Sequence, residues 1–379
     1  MNSPLVSICL PNLNTFPYLQ ERVETILAQT YSNWELIVID SYSDDGSWEF
    51  FQRLAREDSR VAISQAPRGL YQCWNQCIEK ARGEYVYIAT SDDTMAPDCL
   101  EKMLTALEDH PECDLAQCSL FAIDGQGRPL ANESWRDATV FARGLPEWLE
   151  RRHIRWAPYD GLLHLTGCMV SLSITQLLIR RSLFSVIGGF ETRWGSIGDR
   201  NWEMKAGLVA NTIYVPNTWA TWRLHPANAS ANSSQNVHSA DYTRKIEEMI
   251  EDALAKCEPH LSQRVVVGLK EYWLQHSRQM RAYYSALANI PKTPRRRLFQ
   301  GAQLLSGKRA ARHELLHRVQ GHAGWRDRAP EELRRWLESL GERPVISDMG
   351  RCPGATSSRS MRLETVPAAG SSAMQEKSL

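Results

Sequence analysis

Apolar residues follow two different periods along the first hundred positions. Val6-Ser7-Ile8-Cys9-Leu10, Leu36-Ile37-Val38-Ile39, Val61-Ala62-Ile63 and Tyr85-Val86-Tyr87-Ile88-Ala89 are short, β-rich runs, and each predicts a strand. Between them apolar residues return every three or four positions. Leu19, Val23, Ile26 and Leu27 predict a helix over 18–29, and a second is expected over 47–56. Leu70, Trp74, Cys77, Ile78 and Ala81 predict a third, closed by Gly83 as a C-cap. Leu100, Met103, Leu104 and Leu107 predict a fourth, after Pro97. This alternation predicts βαβ units and an α/β, Rossmann-like, mostly parallel sheet flanked by helices. Ligands of such sheets bind beyond the carboxyl ends of the strands. The residues expected at that edge are Pro11-Asn12-Leu13-Asn14, Asp40, Pro67-Arg68-Gly69 and Asp92-Asp93.

The pattern is looser further on. Strands are expected at 176–179, 212–215 and 218–224, with a turn at Gly188-Gly189-Phe190. Gly198-Asp199 opens a helix, with Asp199 at its N-cap or in its first turn, where the helix end would favour an ionised carboxylate. From 239 to about 340 the period is helical, with Ile246, Met249, Ile250 and Leu254 as one stripe, and Arg is frequent (Arg295-Arg296-Arg297, Arg309, Arg312, Arg318, Arg334, Arg335). Beyond Pro344 periodicity vanishes and disorder is expected. The division that follows is 1–235 as an α/β domain, 236–342 as a helical, Arg-rich C-terminal region and 343–379 as a disordered tail.

Composition narrows the partners. Among 379 residues, Lys+Arg and Asp+Glu are both 44, so whole-chain charge gives no reason to expect nucleic acid. No run approaches the roughly 20 apolar residues of a membrane-spanning helix, and MNSPLVSICLPNLN does not read as a signal peptide. Nine scattered cysteines without a C-x-x-C pair fit reduced thiols in the cytoplasm. Cys73 and Cys77 lie at helical spacing and read as packing rather than half of a zinc site. The sequons at Asn132, Asn228 and Asn232 are then chance matches.

The acidic pair Asp92-Asp93 follows a buried strand. Oxygen ligands of this kind suit a hard divalent cation, Mn²⁺ or Mg²⁺; an Asp-rich turn capping the next helix is the plainer alternative. Four segments in order weigh against that alternative. "VSICLPNLNTFPYLQERVETILAQTYSNWELIVIDSYSDDGS", "RGLYQCWNQCIEKARGEYVYIATSDD", "GGFETRWGSIGDRNWEMKAG" and "TWRLHPANAS" together resemble the inverting family 2 glycosyltransferases, with their GT-A fold, over about residues 5–230. The resemblance implies that Asp40 hydrogen-bonds the nucleobase and that Pro11, Asn12 and Asn14 line the nucleoside pocket. It places Arg68, Ser91, Asp92 and Arg223 by the base or diphosphate, the metal on Asp92 with Asp93 and His225, and the general base at Asp199. Trp194 and Trp202 flank Asp199, and one of them is a candidate sugar platform.

Three departures from that family stand out. Thr90-Ser91-Asp92 replaces the usual Asp-x-Asp, Ser41 follows Asp40 where a second acid is common, and Gly198 precedes Asp199 where Glu is usual. The function expected is inverting, metal-dependent transfer of a sugar from a nucleoside diphosphate, UDP by family habit, to a glycan or lipid-linked acceptor in envelope polysaccharide or glycolipid assembly. The Arg clusters from 295 onward are a candidate contact for anionic lipid at the inner face of a membrane. An inactive nucleotide-sugar-binding or scaffold module on the same fold is the alternative. A nucleotidyltransferase is disfavoured, because Pro11-Asn12-Leu13-Asn14-Thr15 has neither glycine nor charge.

Overall fold

The structure is a computed structural model that describes residues 3–130, 145–226, 228, 240–268, 330–340 and 345–351. Strands β1 (Val6–Asn12), β2 (Trp34–Asp40), β3 (Val61–Gln65) and β4 (Tyr85–Ile88) alternate with helices α1 (Phe16–Leu27), α2 (Ser47–Glu57) and α3 (Leu70–Lys80), and α4 (Cys99–Asp109) follows. Then come β5 (Leu115–Asp124), β6 (Arg151–Arg155), α5 (Tyr159–Leu165), β7 (Leu177–Arg180), α6 (Leu183–Ile187), α7 (Gly198–Val209), β8 (Thr212–Leu224), α8 (Ala240–Cys257) and β9 (Ile346–Arg351). The nine strands form one sheet in the order β3-β2-β1-β4-β7-β5-β8-β6-β9.

The α/β class is the one expected. The parallel character is concentrated at one end, where β3, β2, β1 and β4 run together. Past β4 the sheet is mixed. β7 is antiparallel to both β4 and β5, β5 pairs parallel with β8, and β6 runs antiparallel to β8 and β9. β1, β2 and β4 are buried along their whole length, so their alternation serves two cores. Cys9, Ile37, Ile39, Val86 and Ile88 face one core, with residues of α3, α5, α7 and α8. Ile8, Leu10, Leu36, Val38, Tyr85 and Tyr87 face the other, with residues of α1, α2 and α4. Parallel register sets Asn12 beside Asp40, and Asp40 beside Gln65. The loops after β1, β2 and β3 therefore leave the sheet at one edge.

Several details differ from the sequence reading. α3 ends at Lys80, with Ala81 extended, so Gly83 caps nothing. Gly83 instead lies against β1, where a Cβ would sit 2.5 Å from the Leu5 carbonyl oxygen. The stretches 212–215 and 218–224 are one strand, β8, with a shift of register against β5 at Cys118/Ser119. The tail expected to be disordered contributes β9, which closes the sheet edge over β6 and pairs Asp348 with Arg151. Charged sequences such as RRHIR and ISDMGR carry little apolar alternation, and partner strands supply what periodicity does not. α8 docks on α7, where Asn201 Nδ2 donates to the Met249 carbonyl at 2.9 Å. Helical residues 330–339 bring Leu333 and Leu337 into the core shared by α7 and α8. Arg295-Arg296-Arg297, Arg309, Arg312 and Arg318 lie outside the described residues, whereas Arg334 and Arg335 are both paired with Glu331. No helix among the described residues is long and apolar enough to cross a membrane.

Candidate active site

A cavity of about 690 Å³ opens where β1 and β4 end and reaches the start of α7. Pro11, Asn12, Asn14, Arg68, Ser91, Asp92, Asp93, Asp199 and His225 all line it. Asp40 and Arg223 are not among the lining residues. Asp40 is fully buried and accepts from Asn12 Nδ2 at 2.7 Å, from the Ser43 backbone N–H at 2.9 Å and from the Ser43 hydroxyl at 2.6 Å. Gln65 Nε2 adds a fourth, longer bond at 3.4 Å. Its oxygens are engaged in fastening the β2 loop to β1, which leaves Ser41 to face the cavity. Arg223 is 1% exposed, donates from Nε to the Asp92 carbonyl at 2.6 Å and pairs with Glu21 at 2.5 Å. It braces the acidic turn from behind.

The two adjacent aspartates point different ways. Asp92 Oδ2 lies 3.0 Å from His225 Nε2 and 3.3 Å from Asn228 Nδ2, all three residues on the cavity wall. Asp93 turns inward. Its Oδ1 accepts the Arg223 N–H at 2.7 Å, and its Oδ2 accepts the Thr90 hydroxyl. Burial, and then the neighbouring Asp92 charge, push the Asp93 carboxyl up to about 7. Asp93 thus ties the strand β4 turn to β8 instead of reaching out beside Asp92. Among the described residues no three His, Cys, Asp or Glu side chains converge as a ready metal cluster. A carboxylate and an imidazole nitrogen remain, a pair that could hold a divalent cation. Asn228 also donates to the Arg223 carbonyl at 2.9 Å. With its amide held in this way and 9% exposed, the sequon there is structural.

Asp199 sits in the first turn of α7 and is partly exposed to the cavity. Tyr71 on α3 donates its hydroxyl to Asp199 Oδ1 at 3.0 Å. Gly198 explains the departure just before Asp199. A Cβ there would meet the Tyr71 ring at 2.7 Å, so only glycine lets the helix start close against that ring. The Asp199 carboxyl is raised above its ordinary value by burial, against hydrogen bonds from Tyr71 and the Arg200 N–H that lower it. The expected depression by the helix end is outweighed. α7 is held in place by buried Lys205, whose Nζ donates to Glu191 Oε1 at 3.0 Å. Trp202 is fully buried, stacks on Phe190 and Phe184 and donates to the Gly188 carbonyl. Trp194 is 4% exposed. Neither lines the cavity; Trp222 does.

One turn beyond Asp199, Glu203 faces a second, small cavity of about 20 Å³ that it shares with His164, Ser171, Arg155 and Asp160. Ser171 donates to Glu203 Oε1 at 2.7 Å, and His164 Nδ1 lies 3.9 Å from Oε2. Burial first, and the Asp199 charge second, raise the Glu203 carboxyl to about 8. Burial and the Arg200 charge hold His164 down at about 3. Tyr71 and Glu203 were not anticipated from sequence. Tyr71 carries a weak signal, as the residue beside Leu70 at the start of a helix that follows an edge loop. Glu203 carries the i+4 spacing from Asp199 that places both on one helical face.

Comparison with known proteins brings out a family. Residues 7–169 match the model of glycosyl transferase family 2. An uncharacterized glycosyltransferase of Haemophilus influenzae is 40% identical over 113 residues, 29% of this chain and 45% of that protein. The putative teichuronic acid biosynthesis glycosyltransferase TuaG of Bacillus subtilis is 34% identical over 103 residues, 27% of this chain and 41% of its own length. The chain thus spans under half the length of these two curated relatives. Among solved structures, a mannosyltransferase of Pyrobaculum calidifontis superposes with a TM-score of 0.49 at 19% identity, covering 86% of this chain and 87% of its own.

Proposed function

We propose, for a chain that belongs to glycosyl transferase family 2 through residues 7–169, that the cavity transfers a sugar from a nucleoside diphosphate to an acceptor hydroxyl with inversion. One observation carries this reading. A single cavity has the Asp92–His225 pair on one wall and Asp199, hydrogen-bonded to Tyr71, on another. The donor lies along the ends of β1 and β4, its diphosphate toward Asp92 and His225. A divalent cation held by those two residues supplies charge neutralisation of the departing diphosphate. Asp199 takes the proton of the acceptor hydroxyl as its oxygen attacks the anomeric carbon from the side opposite the diphosphate. A base whose pKa is raised by burial has more driving force for that transfer than an ordinary exposed aspartate. Tyr71 fixes which oxygen of Asp199 is free to receive the proton.

Residues 1–235 are the transferase unit in this reading, UDP is the first nucleotide to test, and an envelope glycan or glycolipid is the acceptor class, as the name of the teichuronic acid relative suggests. The shortage of carboxylates around Asp92 favours a second reading, a nucleotide-sugar-binding module without turnover. The test is release of nucleoside diphosphate from a panel of UDP-, GDP- and dTDP-sugars with Mn²⁺, run beside calorimetric binding of UDP and GDP. Release from one donor is the expected result. Binding without release from any donor, even with acceptor glycans added, selects the binding module. Neither binding nor release overturns both.

A further inference from the structure

Lys205, on α7, is buried, and a buried ammonium is costly unless it is paired. It has two carboxylates. Its Nζ lies 3.0 Å from Glu191 Oε1 and 3.7 Å from Asp252 Oδ2. Arg193 reaches the same two acids. Its Nε donates to Glu191 Oε2 at 2.6 Å, and its Nη2 pairs with Asp252 Oδ1. Two cations and two carboxylates thus alternate in a closed, charge-balanced ring. The ring joins three pieces of chain. Glu191 and Arg193 stand where the loop Thr192–Ile197 begins, Lys205 is on α7, and Asp252 is on α8. Asp252 Oδ2 also accepts from Asn201 Nδ2, in the first turn of α7, at 3.1 Å. α8 holds the loop at a second point, where Lys245 Nζ lies 3.5 Å from the Trp194 carbonyl oxygen. Lys245 and Asp252 are two helical turns apart, so one face of α8 carries both. Between these fixed points the chain turns at Gly195, with φ at +65°, and then presents Ser196 and Asp199 to the cavity.

We infer that α8 is a positioning element of the transfer site and Asp252 its positioning residue, which through the ion-pair ring fixes the start of α7 and with it the place of the Asp199 carboxylate against the acceptor oxygen. This rests on the transferase reading above and extends it, because α8 lies past residue 235, where that unit ends. Tyr71 holds Asp199 Oδ1 from the α3 side, and the ring holds the chain before and after Asp199 from the α8 side. A general base acts only within hydrogen-bond reach of the proton it takes. A misplacement of about 1 Å can cost on the order of a hundredfold in rate. The donor end of the cavity is built differently. Asn12, Asp92 and His225 follow from β1, β4 and β8, and none of them touches the ring.

The test uses the full chain and the panel of UDP-, GDP- and dTDP-sugars with Mn²⁺, read as release of nucleoside diphosphate, beside calorimetric binding of UDP and GDP. Every variant is assayed well below its own thermal midpoint, so that a fold that is only less stable still turns over at the original rate. In Asp252→Ala, Lys205 keeps Glu191 as its partner, and the chain is expected to fold. Its kcat is expected to fall by roughly ten- to a hundredfold. Its donor KM and nucleoside diphosphate Kd are expected to stay within about twofold of the unmodified values, the split that marks an interaction felt only in the transition state. Asp252→Glu, which restores the charge, is expected to recover part of the lost kcat. Lys245→Met, which removes only the contact at Trp194, is expected to lower kcat in the same way and by less. A kcat for Asp252→Ala within about twofold of the unmodified protein overturns the inference alone, as does a loss of nucleotide affinity as large as the loss of kcat. If Asp252→Ala does not fold, Lys245→Met decides by the same two criteria. If the unmodified protein releases nucleoside diphosphate from no donor, the transferase reading falls and this one with it.

Discussion

Asp40 and Asp199 stand near the same cavity, yet one is surrounded by donors and the other is nearly bare. Asp40 accepts four hydrogen bonds from Asn12, Ser43 and Gln65. Asp199 accepts one from another element, the Tyr71 hydroxyl, and one from its own helix start. The saturated carboxylate has no oxygen left for a substrate and acts as a joint between loops. The sparsely bonded one keeps acceptor capacity and gains basicity from burial. Position at the sheet edge does not tell which carboxylate keeps acceptor capacity; the count of donors around each does. The same contrast recurs one residue apart, between Asp92 facing the cavity and Asp93 bonded inward.

The largest effect is expected at Asp199. Asp199→Asn keeps size and the helix start but cannot accept the proton, so transfer is expected to fall by roughly 10²–10⁴-fold. Binding of nucleoside diphosphate and the thermal midpoint are expected to stay near their original values. Transfer at close to the original rate, measured with the correct donor and acceptor, would move the base elsewhere. Asp40→Ala is expected to do the opposite. It removes the acceptor of buried Asn12 and half-buried Ser43, so stability is expected to drop by about 2 kcal/mol in urea unfolding. Nucleotide affinity then falls only as the loop loosens. A variant of unchanged stability but much weaker binding would restore Asp40 as a direct reader of the base.

Much of this was legible beforehand. The short apolar runs of β1 to β4 and the helices between them locate the sheet edge, and nine of the eleven site residues named from sequence line one cavity. The two that do not, Asp40 and Arg223, were placed correctly along the chain but not in their facing, which depends on partners such as Ser43 and Glu21 in other loops. Tyr71 escaped notice because its importance lies in Gly198, more than a hundred residues away, which clears the space for its ring. β6 and β9 were missed because their residues are charged and their strand state comes from pairing.

The Asp92–His225 pair offers a smaller effect. Asp92→Asn keeps a hydrogen-bonding side chain beside His225 but removes the charge, so Mn²⁺-dependent strengthening of nucleotide binding is expected to weaken by about tenfold or more. Activity that persists in excess EDTA, with Asp92→Asn indistinguishable from the unmodified protein, would remove the cation from the reaction.

Glu203 gives a pH signature. Its folded pKa, about 8, lies above the ordinary glutamate value, so the folded state holds a proton that the unfolded state has released. The sign follows: stability declines as pH rises from about 4.3 and levels off above about 8. Glu203→Gln keeps a neutral side chain that still accepts from Ser171, and it removes that decline. The variant is expected to gain on the unmodified protein by about 2–3 kcal/mol between pH 5 and 7 in urea unfolding. Parallel stability curves over that range would show that Glu203 is ionised in the fold.

Asp93→Asn is the smallest change and the sharpest test of the contrast between neighbours. Asp93 is 1% exposed and has both oxygens engaged, one by the Arg223 N–H at 2.7 Å and one by the Thr90 hydroxyl. Burial, and then the Asp92 charge, raise its carboxyl to about 7. An amide oxygen still accepts from Arg223, and the amide NH₂ donates to Thr90 once that hydroxyl rotates. The exchange is therefore expected to cost under about 1 kcal/mol. Because the side chain faces away from His225, the Mn²⁺ dependence of nucleotide binding is expected to be unchanged. Calorimetric titration of UDP or GDP with and without Mn²⁺, on Asp92→Asn and Asp93→Asn in parallel, separates the two. Equal loss in both variants would mean that Asp93 turns outward to join Asp92 on the cation, as the sequence pair first suggested. Loss in Asp92→Asn alone would leave Asp93 as the tie between the β4 turn and β8.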